Sequence, residues 1–174
     1  MLLKMLRGAI NRRLYTLHSV LRVPDDVKSP VRLFYLSFRD FLVDSEHKAK
    51  EFWINEKKVH KNLGFRCLDL LSKTPLLKKD ICFLKKFGTL RIDIDNHLIE
   101  QSLLAEVQYA CRYWVHHFEQ GFYQIFGQDA VHIFLHQRFI YWVEALSIIG
   151  RVYECISMIA KLQTLLEVRQ LSCY

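Results

Sequence analysis

His132 and His136 stand four residues apart, the spacing at which two imidazoles on one helical face can share a metal ion, and the pair His116-His117 lies upstream. A zinc protease would place a glutamate at position 133 as its general base, and Ile133 is there. With no third ligand or catalytic carboxylate at a matching offset, these are read as surface or core-edge histidines and no metal is expected. Asp93 and Asp95 in "IDIDNH" alternate with apolar residues as in a calcium loop. The glycine and the closing bidentate glutamate of an EF-hand are not at their offsets, which leaves a solvated loop.

Acyl-transfer chemistry would need a nucleophile held by a base. The chain has no G-x-S-x-G, and no cysteine stands in a recognisable nucleophile motif with histidine. Phosphate chemistry would need glycines that let backbone amides approach the anion, followed by Lys and Ser/Thr, and no G-x-x-x-x-G-K-[ST] is present. No catalytic residue, no cofactor-binding residue and no enzymatic activity are therefore expected. The cluster Tyr109, Tyr113, Trp114 and Trp142 could stack nucleic-acid bases, but at helical spacing it is read as core.

The elements that carry these residues are mostly helical. Of the 174 residues 51% are hydrophobic and 25% charged, a soluble globular balance, and only 6 Gly and 3 Pro interrupt the chain, which favours long helices. Cys67, Cys82, Cys111, Cys155 and Cys173 are odd in number, widely spaced and form no C-x-x-C pair, so a disulfide framework or zinc site is not expected and a reduced, cytoplasmic protein is. The apolar run "FIYWVEALSIIGRVYECISMIAKLQTLL" is long enough to cross a bilayer, yet Glu144, Arg151, Glu154 and Lys161 fall inside it, so it reads as two packed helices. The net charge of +7 resides in the first hundred residues, since residues 101–174 carry five Lys/Arg against six Asp/Glu. A nucleic-acid face or a lysine-rich solvated surface would both give that distribution, and without interleaved arginines and aromatics the second is the reading.

Along the chain, Met5, Leu6, Ile10, Leu14 and Leu17 predict an amphipathic helix over residues 4–18. "SVLRV" and "VRLFYL" are β-prone runs joined by the turn-forming "PDDVKSP", a β-hairpin. Ser37, three residues before Asp40, resembles a capping box that would start the helix "FRDFLVD". A further helix is expected over residues 56–73 with Val59, Leu63, Cys67, Leu70 and Leu71 on its apolar stripe, then a short basic helix "LLKKDICFLKKF" and an unassigned segment. The clearest helix spans 106–119, where Val107, Ala110, Cys111, Trp114, Val115 and Phe118 form one continuous face. After "GQD" come helices joined at Gly150, the last with Val152, Cys155, Ile156, Ile159, Leu162 and Leu166 inward. Trp114, Val115 and Phe118 are expected to pack on Val143, Leu146, Ile156 and Ile159 as an antiparallel bundle. The fold class is mainly α: a partial winged helix, made of a helix plus a β-hairpin, followed by an α-helical bundle or arm.

Six segments in order, "LHSVLRVPDD", "SPVRLFYLSFRDFLVD", "EFWINEKKVHKNLGFRCLDLL", "KKDICFL", "EVQYACRYWVHHFEQ" and "HQRFIYWVEALSIIGRVYECISMIAKLQTLL", resemble the part of fungal NACHT-type STAND NTPases that follows the nucleotide-binding domain. That family is related to NOD-like receptors, and some members act in heterokaryon incompatibility. The resemblance covers roughly residues 14–168 and implies two parts, residues 1–44 as the distal part of a winged-helix domain and residues 45–174 as a helical domain. It also implies that ATP or ADP binding in the family belongs to a domain that is not in this chain, which is expected to be a fragment, a truncated gene product or a degenerate paralogue.

In the family an apolar strand is followed by His-Pro-Ser-Phe-x-Asp-Phe-Leu, whose histidine reaches the ADP phosphate and holds the off state. Here Ser37, Phe38, Asp40, Phe41 and Leu42 match, whereas Tyr35 occupies the position of that nucleotide-sensing histidine and Leu36 that of the proline. A neutral phenol can donate one hydrogen bond but brings no imidazolium charge, so the resemblance implies a weakened nucleotide contact. The expected role is a non-enzymatic regulatory and protein-interaction module. Its expected partners are NACHT or repeat domains or a second copy of itself, with no membrane. The alternative is a winged-helix-type nucleic-acid-binding protein that would use "INRRLYTLH" as its recognition helix.

Overall fold

A computed structural model of the chain describes residues 16–24, 31–84 and 88–167. Most of the helix expected over 4–18 lies outside them; within them, residues 16–20 form a turn. The described residues divide into two compact units, one running to Glu56 and one from Lys57 onward. Mainly α architecture with one small antiparallel hairpin is what they show.

In the first unit β1 (Leu21–Arg22) pairs with β2 (Arg32–Leu33), Leu21 opposite Leu33 and Arg22 opposite Arg32. Phe34 N–H donates to the Val20 carbonyl at 3.0 Å and extends the ladder by one bond. Helix α1 (Leu36–Val43) follows after a single linking residue beyond Phe34. Ser37 does not cap it: the cap position is Tyr35, in extended backbone with φ −125° and ψ 123° and no side-chain cap bond. Leu36 is already helical, so Ser37 sits inside the first turn, where its hydroxyl has no free amide ahead of it to satisfy. The other end of α1 is better tied. Asp44 accepts from the Glu46 amide at 3.0 Å to start a short 3₁₀ turn, Ser45–His47, and Phe41 stacks on Phe52 with centroids 4.9 Å apart. Trp53 then donates its indole N–H to the Val43 carbonyl.

The second unit is a helical bundle: α2 (Glu56–Lys73, its first residue shared with the first unit), α3 (Asn96–Ser102), α4 (Ala105–Gln120), α5 (Ala130–Ile148) and α6 (Val152–Glu167). All six apolar positions expected on α4 are buried, and Trp114 is the centre, with its ring 5.4 Å from Trp142, 5.5 Å from Phe134 and 6.1 Å from Phe118. Tilted and edge-on contacts of this kind add to the area that the aromatics bury. Trp142 donates its indole N–H to the Cys111 carbonyl at 2.8 Å. Trp114 Nε1 has no acceptor among the described residues.

Loops are held by side chains that take up backbone amides. Asp129 caps α5, one carboxylate oxygen accepting from the amides of Val131 and His132 and the other from Tyr123 Oη and the Phe126 amide. Asp95 of "IDIDNH" caps α3 by accepting from His97 N–H at 2.9 Å, so the segment left unassigned from sequence holds a 3₁₀ turn (Arg91–Asp93) and a helix. Gly150, at φ +73°, closes α5: its amide reaches the Ser147 carbonyl and the Arg151 amide reaches back to Leu146, the two bonds of a Schellman motif.

Three expected elements differ. The basic helix at 76–87 is absent from its described residues, which form turns with positive φ at Asp80 and Phe83. Asp80 Oδ1 accepts from the Leu84 amide at 2.7 Å and Glu144 Oε1 from the Ile81 amide at 2.9 Å, so side chains hold amides that a helix would give to carbonyls. On α6 the buried face is turned from the expected one: Cys155, Met158 and Leu162 are buried with Ile159 and Leu165 beside them, while Val152, Leu166 and above all Ile156, 77% exposed, face out. On α2 Cys67 and Leu71 are buried and Leu70 packs on the core as expected, whereas Val59 is exposed and Gly64 and Leu68 join the buried face.

Candidate functional site

Tyr35 stands where the hairpin becomes α1, and the short link between β2 and the helix leaves its ring 61% exposed, 6.4 Å from that of Phe34. Around it Phe34, Leu36 and Val31 are also exposed, Leu36 at 78%. No described residue of the first unit is buried. The arrangement offers a phenol that can donate or accept one hydrogen bond, set in an apolar surface.

The histidines singled out by sequence take different places. His132 and His136 lie exposed on α5 with centroids 6.3 Å apart, and among the described residues no group of three or more His, Cys, Asp or Glu could hold a metal. His116 is exposed, 3.8 Å from Glu119. His117, its neighbour, is buried at 5% exposure, since it follows the Val107–Phe118 stripe around into the contact with α2. There its Nδ1 meets His60 Nδ1 at 2.9 Å and its Nε2 meets Tyr109 Oη at 2.8 Å. Burial, with the neighbouring His60 and His116, pulls the His117 imidazole down to about 4 from the ordinary 6.5. The phenol of Tyr109 is pushed up, chiefly by burial. Sequence reading had no purchase on this cluster, because its members lie on two helices 57 residues apart; the one usable signal was a histidine continuing an apolar face.

Two glycines let α2 and α4 come close here. A Cβ on Gly64 would stand 2.7 Å from a ring carbon of Phe118, and one on Gly121 2.7 Å from the Lys61 backbone nitrogen. Elsewhere in the bundle a cleft of about 490 Å³ opens between residues 79–84 and 88–94 on one side and the C-terminal half of α5 on the other. Leu84, Ile94, Ile140 and Ile148 line it, with Arg91 and Glu144 at its polar positions. Glu144 is engaged with the Ile81 amide, Arg91 with the Ile94 carbonyl and Asn96 Oδ1, and Asp80, also in the lining, with the Leu84 amide. No described helix is long and apolar enough to cross a membrane.

No family model matches the chain, and no solved structure matches it. The chain is similar to the vegetative incompatibility protein HET-E-1 of Podospora anserina, 32% identical over 111 residues, an alignment that takes in 59% of this chain and 8% of that protein. The chain thus spans a small part of the length of the relative it matches, and the similarity supports a distant relationship to it.

Proposed function

We propose that this chain is a winged-helix and helical-arm segment of a NACHT-type STAND protein, acting in the cytoplasm as a regulatory and protein-interaction module. In this reading residues 1–44 are the distal winged helix and residues 45–174 the arm. It performs no catalysis of its own and holds no cofactor, nucleotide being the business of a separate ATPase domain, and Tyr35 takes the place of the family's nucleotide-sensing histidine. The observation that carries the reading is the surface around Tyr35. A segment of hairpin and helix that leaves Phe34, Tyr35 and Leu36 more than half exposed has apolar area to cover, and a domain packed on that face covers it. The similarity to the vegetative incompatibility protein HET-E-1 supports the family.

The test is calorimetric titration of the 174-residue chain with a purified NACHT ATPase domain and, separately, with a repeat domain of the same family. Binding to one of them, weakened about tenfold or more by Leu36→Asp at this exposed position, is the expected result. Absence of binding to both, or strong duplex-DNA binding that falls steeply with salt, overturns it, the latter in favour of a nucleic-acid-binding protein.

A further inference from the structure

Both ring nitrogens of His117 are committed inside the α2–α4 contact, and the two bonds have a direction. Tyr109 Oη–H donates to His117 Nε2 when His117 carries its proton on Nδ1, and that Nδ1–H donates to His60 Nδ1. Adding one proton to His60 Nδ1 reverses the line: His60 now donates to His117 Nδ1, and His117 moves its own proton to Nε2 and donates to Tyr109 Oη. Every bond survives with one proton gained. A second proton has no such place. With both imidazoles charged, an N–H faces an N–H across 2.9 Å and two positive rings face each other, one of them, His117, only 5% exposed.

The charges around the pair do nothing to relieve that repulsion. On α4, Glu119 is paired with His116 and with Lys161 of α6 at 2.6 Å, and Arg112 with Glu154 of α6 at 3.1 Å. Cys67 of α2 and Tyr113 of α4 lie beside Tyr109 as further titratable groups, and both are neutral in acid. Lys57 and Lys61 of α2 point onto the rings of Phe122 and Tyr123, adding positive charge on the same helix. The Gly64–Phe118 and Gly121–Lys61 approaches nearby hold the two helix backbones close, so the His117 ring, 5% exposed, is fixed between them while the helices stay packed.

We propose that His60 and His117 are an acid-operated latch, which holds the N-terminal turns of α2 against α4 while the pair carries at most one extra proton and lets them separate when both rings are protonated. The device makes the exposure of that helix face respond to pH in the range where histidine titrates. It stands on the bundle's own geometry, so it holds or fails separately from the family reading.

Amide hydrogen exchange of the whole chain at pH 7.5 and 5.0, corrected for intrinsic exchange, tests it. A group at 6.5 when open and about 4 when closed favours opening by about 30-fold at pH 5.0 relative to neutral pH, so the amides of Lys61–Leu68 should lose protection by that factor while those of Phe134–Leu146 lose less. His117→Gln should reduce the loss to under about threefold. His60→Asn, at a half-buried position, should reduce it in part. Equal pH sensitivity in both variants and the unmodified chain, or protection of α2 that does not change with pH, overturns the proposal.

Discussion

Gly64 of α2 lies flat against the ring of Phe118 of α4, with space for a hydrogen and none for a methyl group: a Cβ there would come within 2.7 Å of Phe118 Cδ1. Alanine is the better helix former by about 1 kcal/mol in an exposed helix, so propensity alone would make Gly64→Ala stabilising. Phe118 is fully buried between Trp114, Phe65 and Tyr123 and has nowhere to move. Overpacking of such a site costs about 1–3 kcal/mol, which outweighs the propensity gain. Urea unfolding should show Gly64→Ala to be destabilised by up to about 2 kcal/mol; greater stability would mean that α2 and α4 are not packed this closely.

Trp114 and His116 are two residues apart and have opposite surroundings. Trp114 has no exposed surface and touches three other aromatic rings, while the His116 side chain is about half exposed. Trp114→Ala should cost about 3–5 kcal/mol, much of the stability of a small domain, and His116→Ala only a few tenths. Trp114→Phe should fall well short of the alanine loss, because it keeps the ring contacts and removes an indole N–H that has no acceptor among the described residues. Thermal melts of the three variants order them, and equal small effects would place the buried face of α4 elsewhere.

The helices that sequence makes legible are those whose apolar residues all lie on one stripe, as on α4, or whose ends carry a residue with one local role, as Gly150 does in closing α5. Periodicity failed where several apolar residues competed for the inward place. On α6 Cys155, Ile159 and Leu162 of the expected stripe turn inward with Met158, while Val152, Ile156 and Leu166, apolar at the same helical spacing, face out, and only the position of α4 and α5 decides between them. It failed again at 76–84, because the acceptor that holds the Ile81 amide is Glu144, 63 residues away. The candidate surface at Tyr35 was visible through its neighbours Ser37, Phe38 and Asp40, whereas the His60–His117–Tyr109 line is a product of tertiary packing.

Asp129 gathers four donors, the amides of Phe126, Val131 and His132 and the hydroxyl of Tyr123. Asp129→Ala should therefore cost more than an ordinary cap, about 2–3 kcal/mol, with Asp129→Asn retaining part of it. The same contact fixes an alkaline limit. Burial first, then the hydrogen bond to Asp129, pushes the Tyr123 phenol up to about 12 from the ordinary 10. A raised phenol binds its proton more tightly in the folded chain, so its contribution is complete below pH 10 and is lost as pH rises toward 12, by up to about 2–3 kcal/mol. Unfolding curves at pH 8 and 11 should show about half of that loss, about 1.4 kcal/mol, and Asp129→Ala should flatten it; an unchanged slope would separate Tyr123 from Asp129.

Cys67 on α2 and Cys111 on α4 are both fully buried, and burial pushes each thiol up to about 12 from the ordinary 9. Only the thiolate attacks an alkylating agent, so at pH 8 a three-unit rise lowers the reactive fraction about 1,000-fold even before access is considered. Iodoacetamide applied to the folded chain at pH 8 and read by peptide mass spectrometry should leave Cys67 and Cys111 unmodified on a timescale at which the urea-unfolded chain is fully alkylated. Because the raised thiols hold their protons more tightly when folded, their protection should be lost as pH climbs above 9, and lost at both sites together. Since one thiol sits on each helix of the α2–α4 contact, labelling of Cys67 alone would show α2 leaving the bundle while α4 stays packed, whereas simultaneous labelling would show that the contact opens only when the whole unit unfolds.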